Sequence, residues 1–306
     1  MRQPIKTRQV PLFGLARPPI DLVIDVSNMA YRAAHRFEKL SHQGTVTGHL
    51  YGTVVMLSTV WRQYEAKHNC RFVFCLDGDC GWRRDLLPSY KANRGERHQQ
   101  SVSMVREVID LTGLLPGLTL YSATDEADDV IATHVERAAH QCVVYSRDRD
   151  LWQLSSSKVR IISGAREPPV STHQIRTDFH TKDPSLIPLA KALLGDASDN
   201  IKGIRNFSRA DTELLLSHMG NDTSITRLVS IAQELNRQKL LKPRTLKQLI
   251  GAVEHIQTML RITTLRRDVA YRESTNKPNL NALQQRLTEL ACVSLLDRIG
   301  AFYGET

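Results

Sequence analysis

Long apolar runs are missing from this sequence, and cysteine is scarce. No stretch reaches the roughly 18 uncharged apolar residues that a membrane-spanning helix needs, so we expect no membrane partner. The five cysteines are an odd number and form no CxxC pair, which argues against a disulfide framework and against a zinc or redox motif of that type. Residues 1–20 are basic but lack the apolar core of a secretory signal. We therefore expect a cytoplasmic protein with reduced thiols.

Acidic residues are outnumbered by basic ones. Lys and Arg number 41 against 32 Asp and Glu, which gives a net charge of +9. Such a surplus favours a polyanionic partner, nucleic acid first, although charge alone does not define the function. The apolar fraction of 41 % and charged fraction of 24 % are ordinary for a globular protein and exclude a collagen-like, coiled-coil or disordered chain.

The pattern of apolar residues divides the chain. Short β-branched runs alternate with helical stretches, and these runs cover residues 22–26, 72–76, 118–121, 142–145 and 159–162. This alternation predicts an α/β fold with a parallel sheet and helices on both faces. Beyond about residue 183 the pattern becomes helical. We expect a flexible basic arm at residues 1–20, an α/β domain at 21–182 and a helical region at 183–306.

Acidic residues fall where the predicted strands end. Asp25 ends the first run, Asp77 follows the second, and Asp148 and Asp150 follow the fourth. The segment DEADD at residues 125–129 carries four acids in five positions, more than a helix cap needs. In an open parallel sheet, functional groups collect at the carboxyl ends of the strands. A single Asp at the end of a strand is most often a turn residue or a helix cap, but the set predicts a common site.

The chemistry of such a site follows from charge repulsion. Two carboxylates 4 Å apart repel by about 4 kcal/mol at an effective dielectric constant near 20. Several of them in one crevice would take up protons or separate unless a multivalent cation held them. Oxygen ligands without His or Cys suit Mg²⁺ or Mn²⁺. A pair of such ions about 4 Å apart is a recurring device for phosphodiester hydrolysis.

Five segments resemble the 5′ nucleases of the flap endonuclease family, which includes phage enzymes and the nuclease domain of bacterial DNA polymerase I. They are VIDVSNMAYRA, FCLDGDCGWRRDLLPSYKANR, TDEADDVIAT, SRDRDLWQL and LLGDASDNIKGI. The resemblance covers residues 22–268. It implies a PIN-like central sheet followed by a helix–three-turn–helix DNA-binding region. It also implies metal ligands at Asp25, Asp77, Glu126, Asp128, Asp129, Asp148, Asp150, Asp196 and Asp199.

The resemblance further implies an arch over the active site at about residues 82–105. Lys91 and Arg94 occupy the positions that the family aims at the scissile phosphate. The cations and aromatic residues of this stretch suit phosphate contact and base stacking, or else a solvated loop around a buried tryptophan. Candidate DNA contacts over the whole chain are Arg32, Arg83, Tyr90, Arg205, Arg209, Lys239, Lys242 and Lys247.

The helix–three-turn–helix segment departs from the family pattern. Where the family continues with a glycine-rich turn, this chain has RNFSRADTE, in which Arg205 and Arg209 are candidate side-chain replacements. The basic cluster at residues 239–247 is either a ridge that contacts duplex DNA or a solvated face. In the basic arm, the peptide QVPLF runs from Gln9 to Phe13 and resembles the peptides that bind a sliding clamp.

We therefore predict a monomeric, divalent-metal-dependent 5′ nuclease with two Mg²⁺ or Mn²⁺ ions. Its substrate would be DNA with a 5′ single-stranded end or flap. One alternative is an RNA-cleaving PIN-like nuclease, against which the GDASDN segment and its helical surroundings argue. Another is a DNA-binding relative that has lost catalysis, against which the complete set of acids argues.

Overall fold

A six-stranded sheet forms the centre of the protein in the computed structural model, which describes residues 17–92, 97–220 and 222–303. The strands of this sheet and of two short hairpins are β1 (Pro19–Asp25), β2 (Ser41–His42), β3 (Thr45–Val46), β4 (Asn69–Leu76), β5 (Gly117–Tyr121), β6 (Gln141–Tyr145), β7 (Val159–Ile162), β8 (Gly195–Asp196), β9 (Ile201–Lys202) and β10 (Arg272–Thr275). The order in the sheet is β10-β5-β4-β1-β6-β7, and five strands are parallel. The predicted parallel sheet is confirmed.

Helices cover both faces of the sheet. Those in the described residues are α1 (Val26–Arg36), α2 (Gly48–Tyr64), α3 (Gly81–Leu86), α4 (Arg97–Gly113), α5 (Ala127–Arg137), α6 (Thr172–Phe179), α7 (Ile187–Leu194), α8 (Arg209–Leu216), α9 (Ile225–Arg237), α10 (Pro243–Gly251), α11 (Val253–Thr263), α12 (Leu280–Glu289) and α13 (Leu296–Ile299). Short 3₁₀ turns occur at Asp150–Leu154, Pro184–Leu186, Val293–Leu295 and Gly300–Tyr303. None of the helices in the described part of the chain is long and apolar enough to cross a membrane.

The two faces of the sheet have separate apolar cores, because successive strand residues point to opposite sides. Val23 and Val73 face one core, which contains residues of α5 and extends through the helices α7 to α11. Leu22 and Phe72 face the other core, which contains residues of α1, α2 and α4. Burial on both sides explains why the strand sequences are almost continuously apolar.

The C-terminal part of the chain returns to the sheet. Strand β10 pairs antiparallel with β5, and α12 and α13 place Leu283 and Ile299 in the same core as Leu22. The expected helical region at residues 183–306 thus also supplies an edge strand. Its sequence, REST, is fully exposed and has no apolar residue, so it carries no periodic signal of a strand.

A helix–hairpin–helix connection follows the sheet. Helix α7 ends at Leu194, the strands β8 and β9 form a tight antiparallel hairpin, and α8 begins after Ser208, whose side chain accepts a hydrogen bond from the Asp211 N–H. Gly203 permits the close approach of the hairpin to α7, because a Cβ atom there would lie 2.3 Å from the Leu194 carbonyl carbon. This hairpin carries Asp196 and positions the following Asp199.

Candidate metal centre

A first group of carboxylates lies at the carboxyl ends of β1, β4 and β6. Asp25 caps α1, accepting a hydrogen bond from the Asn28 N–H at 3.0 Å, and also accepts one from the Ser146 hydroxyl at 3.0 Å. Asp77 accepts a hydrogen bond from the Ala127 N–H at 2.9 Å, which ties the end of β4 to the start of α5. The first turn of α5 carries Asp128. These contacts fix the directions of the carboxylates before any ligand binds.

Burial and mutual repulsion raise the pKa values of three carboxylates of this group. Burial, and then the charges of Asp77 and Asp148, raise the pKa of Asp25 to about 7. Burial, followed by the charge of Asp150, raises the pKa of Asp148 to about 6. The pKa of Asp128 is raised well above its usual value by burial and by Asp148 and Asp25. Without a cation, Asp25, Asp128 and Asp148 therefore hold protons more tightly than free carboxyl groups do, up to near neutral pH.

A second group contains Asp150, Asp196 and Asp199. One carboxylate oxygen from each lies within 4.8 Å of the others. The buried Lys191 ammonium contacts Asp150 and lies 2.6 Å from an oxygen of Asp196. Although burial opposes ionisation, Lys191 lowers the pKa of Asp196 to about 2. The Asp150 N–H donates to Asp148 at 2.9 Å, so the two groups adjoin.

Lys191 is a site residue that sequence reasoning missed. It lies in the apolar helix segment IPLAKALL, five positions before Asp196. A single cation in such a segment is a weak signal, since a long side chain could equally reach the surface. Its two carboxylate partners become neighbours only in the folded chain.

The buried Arg83 corrects two of the sequence predictions. Its side chain is 2 % exposed, and it donates to both oxygens of Asp129, at 2.5 and 2.8 Å, and to Glu126 at 2.9 Å. A guanidinium enclosed in this way is not available to a DNA phosphate. Asp129 is 0 % exposed, and it also accepts the Arg266 N–H at 2.9 Å. Its contacts make it the counter-ion of Arg83 rather than a group that faces a metal.

Glu126 links the base of the predicted arch to the site. The Tyr90 hydroxyl donates to it at 3.0 Å, and the Lys91 ammonium contacts its other oxygen. Although burial opposes ionisation, Lys91 and Arg83 lower the pKa of Glu126. Tyr90 is buried, so its ring is not a free platform for base stacking. The predicted stacking role of Tyr90 is therefore replaced by a role in holding Glu126.

The remaining candidates divide by exposure. Arg32 is partly buried, donating to the Ser163 carbonyl at 2.6 Å and lying over the ring of Tyr145. The other predicted DNA contacts are exposed and lie in or beyond the helix–hairpin–helix connection: Arg205, Arg209, Lys239, Lys242 and Lys247. Arg94 and the peptide from Gln9 to Phe13 lie outside the described residues.

The raised pKa values predict a pH-dependent stability of the metal-free protein. Between pH 4 and 7 the folded state binds more protons than the unfolded state, because Asp25 titrates near 7 when folded and near 3.9 when unfolded, so the free energy of unfolding falls as the pH rises. In EDTA we expect a loss of at least about 1.4 kcal/mol between pH 5 and 8. Urea denaturation measures it.

Asp148→Asn should reduce this loss, because it removes one of the repelling charges from the first group. Asp79→Asn is the matched control, since Asp79 is an exposed neighbour that pairs with Arg84. A pH-independent free energy of unfolding for the wild-type protein in EDTA would contradict the argument.

Comparison with known proteins identifies the family to which this chain belongs. A family model, the 5′-3′ exonuclease N-terminal resolvase-like domain, matches residues 21–181. The chain belongs to this 5′-3′ exonuclease family, a family of nucleases.

Two individual relatives show how much of the chain is similar to known proteins. The 5′-3′ exonuclease of Aquifex aeolicus is 25 % identical over 293 residues, which cover 92 % of this chain and 95 % of that one. The thermostable DNA polymerase I of Thermus filiformis is 28 % identical over 96 % of this chain, which spans only 35 % of the polymerase.

Solved structures share the fold. A complex of the bacteriophage T5 flap endonuclease with DNA and metal ions has a TM-score of 0.61 at 17 % identity, covering 92 % of this chain and 96 % of that one. Flap endonuclease-1 from Methanococcus jannaschii has a TM-score of 0.53 at 14 % identity, covering 93 % of each chain. At these identities the likeness is one of fold.

Proposed function

We propose that this protein is a divalent-metal-dependent 5′ nuclease that hydrolyses DNA at 5′ ends and at 5′ flaps. The observation that carries the proposal is the pair of adjoining carboxylate groups, one around Asp25, Asp128 and Asp148 and one formed by Asp150, Asp196 and Asp199. The relatives named as 5′-3′ exonuclease and flap endonuclease support the same activity.

The donor chemistry of the two groups suits Mg²⁺ or Mn²⁺. All the donors are carboxylate oxygens, and burial together with neighbouring carboxylates raises the pKa values of Asp25 and Asp148, an unfavourable environment for their charges that a cation would offset. We propose Asp25, Asp77, Asp128 and Asp148 as ligands of one ion and the second group as ligands of the other. When bound, two such ions activate water and neutralise the charge of the leaving oxygen.

The protein's own groups would orient the DNA. Lys91, at the base of the arch, contacts Glu126 beside the carboxylates, and its N–H donates to the Asp199 carbonyl at 3.1 Å. From this position the Lys91 ammonium can exchange its contact with Glu126 for a contact with the phosphate that is cleaved. Arg94, which lies outside the described residues, is proposed for the same role.

The function is tested by incubating the protein with end-labelled 5′-flap DNA and Mg²⁺. We expect cleavage near the junction, and none in EDTA. A second flap substrate, in which the single strand is RNA, distinguishes the proposed DNA nuclease from an RNA-specific nuclease. An RNA-specific nuclease would cut only the RNA flap. Binding without cleavage of either substrate would favour the inactive relative and overturn the proposal.

Lys91→Ala should lower the single-turnover rate by about 10²–10³, the cost of removing one donor that stabilises transition-state charge. The dissociation constant for the same flap should change much less, because the contact strengthens as the phosphate reacts. Rapid-quench kinetics and a binding titration in Ca²⁺ measure the two effects. Lys67→Ala, at an exposed lysine after α2, is the control. Equal losses in rate and affinity would make Lys91 an ordinary phosphate contact.

Arg205→Ala combined with Arg209→Ala should weaken binding to flap and plain duplex alike. Both arginines are exposed, on the turn before α8 and at its start. Loss of two phosphate contacts should reduce the slope of log K against log salt by about two. Replacing potassium with tetramethylammonium should matter little, since the glycine-rich turn of the family is missing. An unchanged slope would contradict this role of Arg205 and Arg209 and would favour Lys239, Lys242 and Lys247 as the residues that contact the duplex.

Two further partner predictions stay open to experiment. The peptide from Gln9 to Phe13 is proposed to bind a sliding clamp. A titration with the clamp, of the wild-type protein and of a Phe13→Ala variant, tests this binding. A monomeric state is testable by light scattering with and without DNA. Neither result changes the proposed hydrolysis.

A further inference from the structure

A cluster of different chemistry lies at the opposite end of the sheet from the carboxylate groups. Asp21 is on β1, Cys142 is its registered neighbour on β6, His134 is in the last turn of α5, and His140 is in the connection from α5 to β6. Asp21 and Asp25 are four positions apart on the strand, which corresponds to about 13 Å at 3.3 Å per residue. The cluster is therefore distinct from the candidate metal centre.

Nitrogen atoms crowd one oxygen of Asp21. Its Oδ2 atom has three nitrogen neighbours: Nε2 of His134 at 2.9 Å, Nε2 of His140 at 3.1 Å and Nη2 of Arg71 at 2.9 Å. One carboxylate oxygen offers about two lone-pair sites. Among the described residues, the buried Nε2 of His140 has no aligned hydrogen-bond partner. In the tautomer with the proton on Nδ1, each imidazole directs the lone pair of Nε2 toward the Asp21 carboxylate, and a cation between them would stabilise that arrangement.

The thiol of Cys142 completes a compact donor set. Its Sγ atom, an oxygen of Asp21 and a ring nitrogen of His134 all lie within 4.8 Å of one another, and all three side chains are buried. In a tetrahedral zinc site, bonds of 2.0–2.3 Å place the ligand atoms about 3.4–3.8 Å apart. Small shifts of these three side chains would reach that geometry, and His140, whose Nε2 lies 3.1 Å from Oδ2 of Asp21, would have to turn its ring toward the fourth position. Two imidazoles, a thiolate and a carboxylate are ligands that zinc selects, unlike the all-oxygen set of the candidate metal centre.

Arg71 supports this assignment. It holds Asp21 in a two-point contact, with Nε 2.9 Å from Oδ1 and Nη2 2.9 Å from Oδ2. Carboxylates that bind metals are commonly oriented by such outer hydrogen bonds. The guanidinium also offsets the carboxylate charge, so the cluster stays intact when it is empty.

We propose that Asp21, His134, His140 and Cys142 form a structural zinc site that ties the end of α5 to β1 and β6. Zinc binding releases the thiol proton of Cys142 and leaves both imidazoles neutral, with the proton of each on Nδ1. The other end of α5 carries Asp128 of the candidate metal centre. A metal that fixes this helix therefore supports the placement of those carboxylates without taking part in hydrolysis.

Cobalt(II) is the probe that separates the two kinds of site. The untagged protein is stripped with EDTA, freed of chelator and titrated with Co²⁺. We expect one equivalent to produce a thiolate-to-cobalt charge-transfer band and the intense visible absorption of tetrahedral cobalt. The all-oxygen centre contains no thiolate and cannot produce that band. An equivalent of Zn²⁺ should then abolish it.

Variants assign the band to the cluster. Cys142→Ser should remove it, whereas Cys292→Ser should keep it, since Cys292 is a buried thiol in the other core. Asp148→Asn, in the candidate metal centre, should also keep it. His140→Ala changes the more exposed ligand, 25 % exposed, and should weaken cobalt binding at least about tenfold even if Cys142→Ser fails to fold. Absence of the band, or full affinity in His140→Ala, would overturn the proposal.

Discussion

Asp148→Asn is expected to abolish cleavage of 5′-flap DNA. The single-turnover rate should fall at least about a thousandfold, because loss of one fixed electrostatic group already costs about 10²–10³ in rate. Asp148 is the member of the first carboxylate group that adjoins the second, since it accepts the Asp150 N–H and its charge raises the pKa of Asp128. Asparagine keeps that hydrogen bond and the shape of the side chain but removes the charge that a divalent cation needs.

Affinity for DNA should stay at the wild-type level or rise in this variant. Removing a carboxylate reduces the repulsion of phosphate, so the loss of rate has no counterpart in binding. Asp150→Asn should behave in the same way. Asp79→Asn, an exposed acid that pairs with Arg84, changes the charge equally nearby and should cut normally. If Asp148→Asn and Asp150→Asn both cut at the wild-type rate in Mg²⁺, the two-metal assignment is wrong.

The sheet and the acidic residues along its edge were predictable because their signals are local. Runs such as that of Leu22 to Ile24 are apolar on both sides of a strand, and acids such as Asp25 directly follow them. A parallel sheet brings those ends to one edge whatever the details of the fold. Strand β10 had no such signal, because it is a polar edge strand whose pairing with β5 depends on residues 155 positions away.

The roles of buried cations were not predictable in this way. Arg83 and Lys91 both come from the basic segment that resembles the family's arch, yet Arg83 is enclosed and Lys91 is partly open. The difference arises from partners that are distant in sequence, such as Asp129 and the Ile262 carbonyl, which accepts from Arg83 at 3.0 Å. The metal cluster around Asp21 escaped notice for the same reason, since its ligands come from three separate segments.

Arg83→Met should destabilise the fold by about 3–5 kcal/mol, the usual cost of removing one partner of a buried ion pair. Methionine retains much of the volume but removes the cation that pairs with the fully buried Asp129. Among the described residues, Lys91 then remains as the only cation that pairs with Glu126. Urea denaturation in EDTA measures the loss without metal binding. Arg84→Met is the matched control, because this neighbour is half-exposed and pairs with the exposed Asp79. Its loss should stay within about 1 kcal/mol.

A second substitution separates the counter-ion role of Arg83 from a DNA contact. Asp129→Leu in the Arg83→Met background removes the stranded charge, so it should recover much of the lost stability, as apolar replacements of buried pairs do. A direct phosphate contact would give a different pattern: Arg83→Met would remain as stable as the wild type, bind duplex DNA more weakly and show a smaller salt slope. Because the guanidinium is 2 % exposed and both oxygens of Asp129 are bonded to it, we expect the loss to appear in the free energy of unfolding.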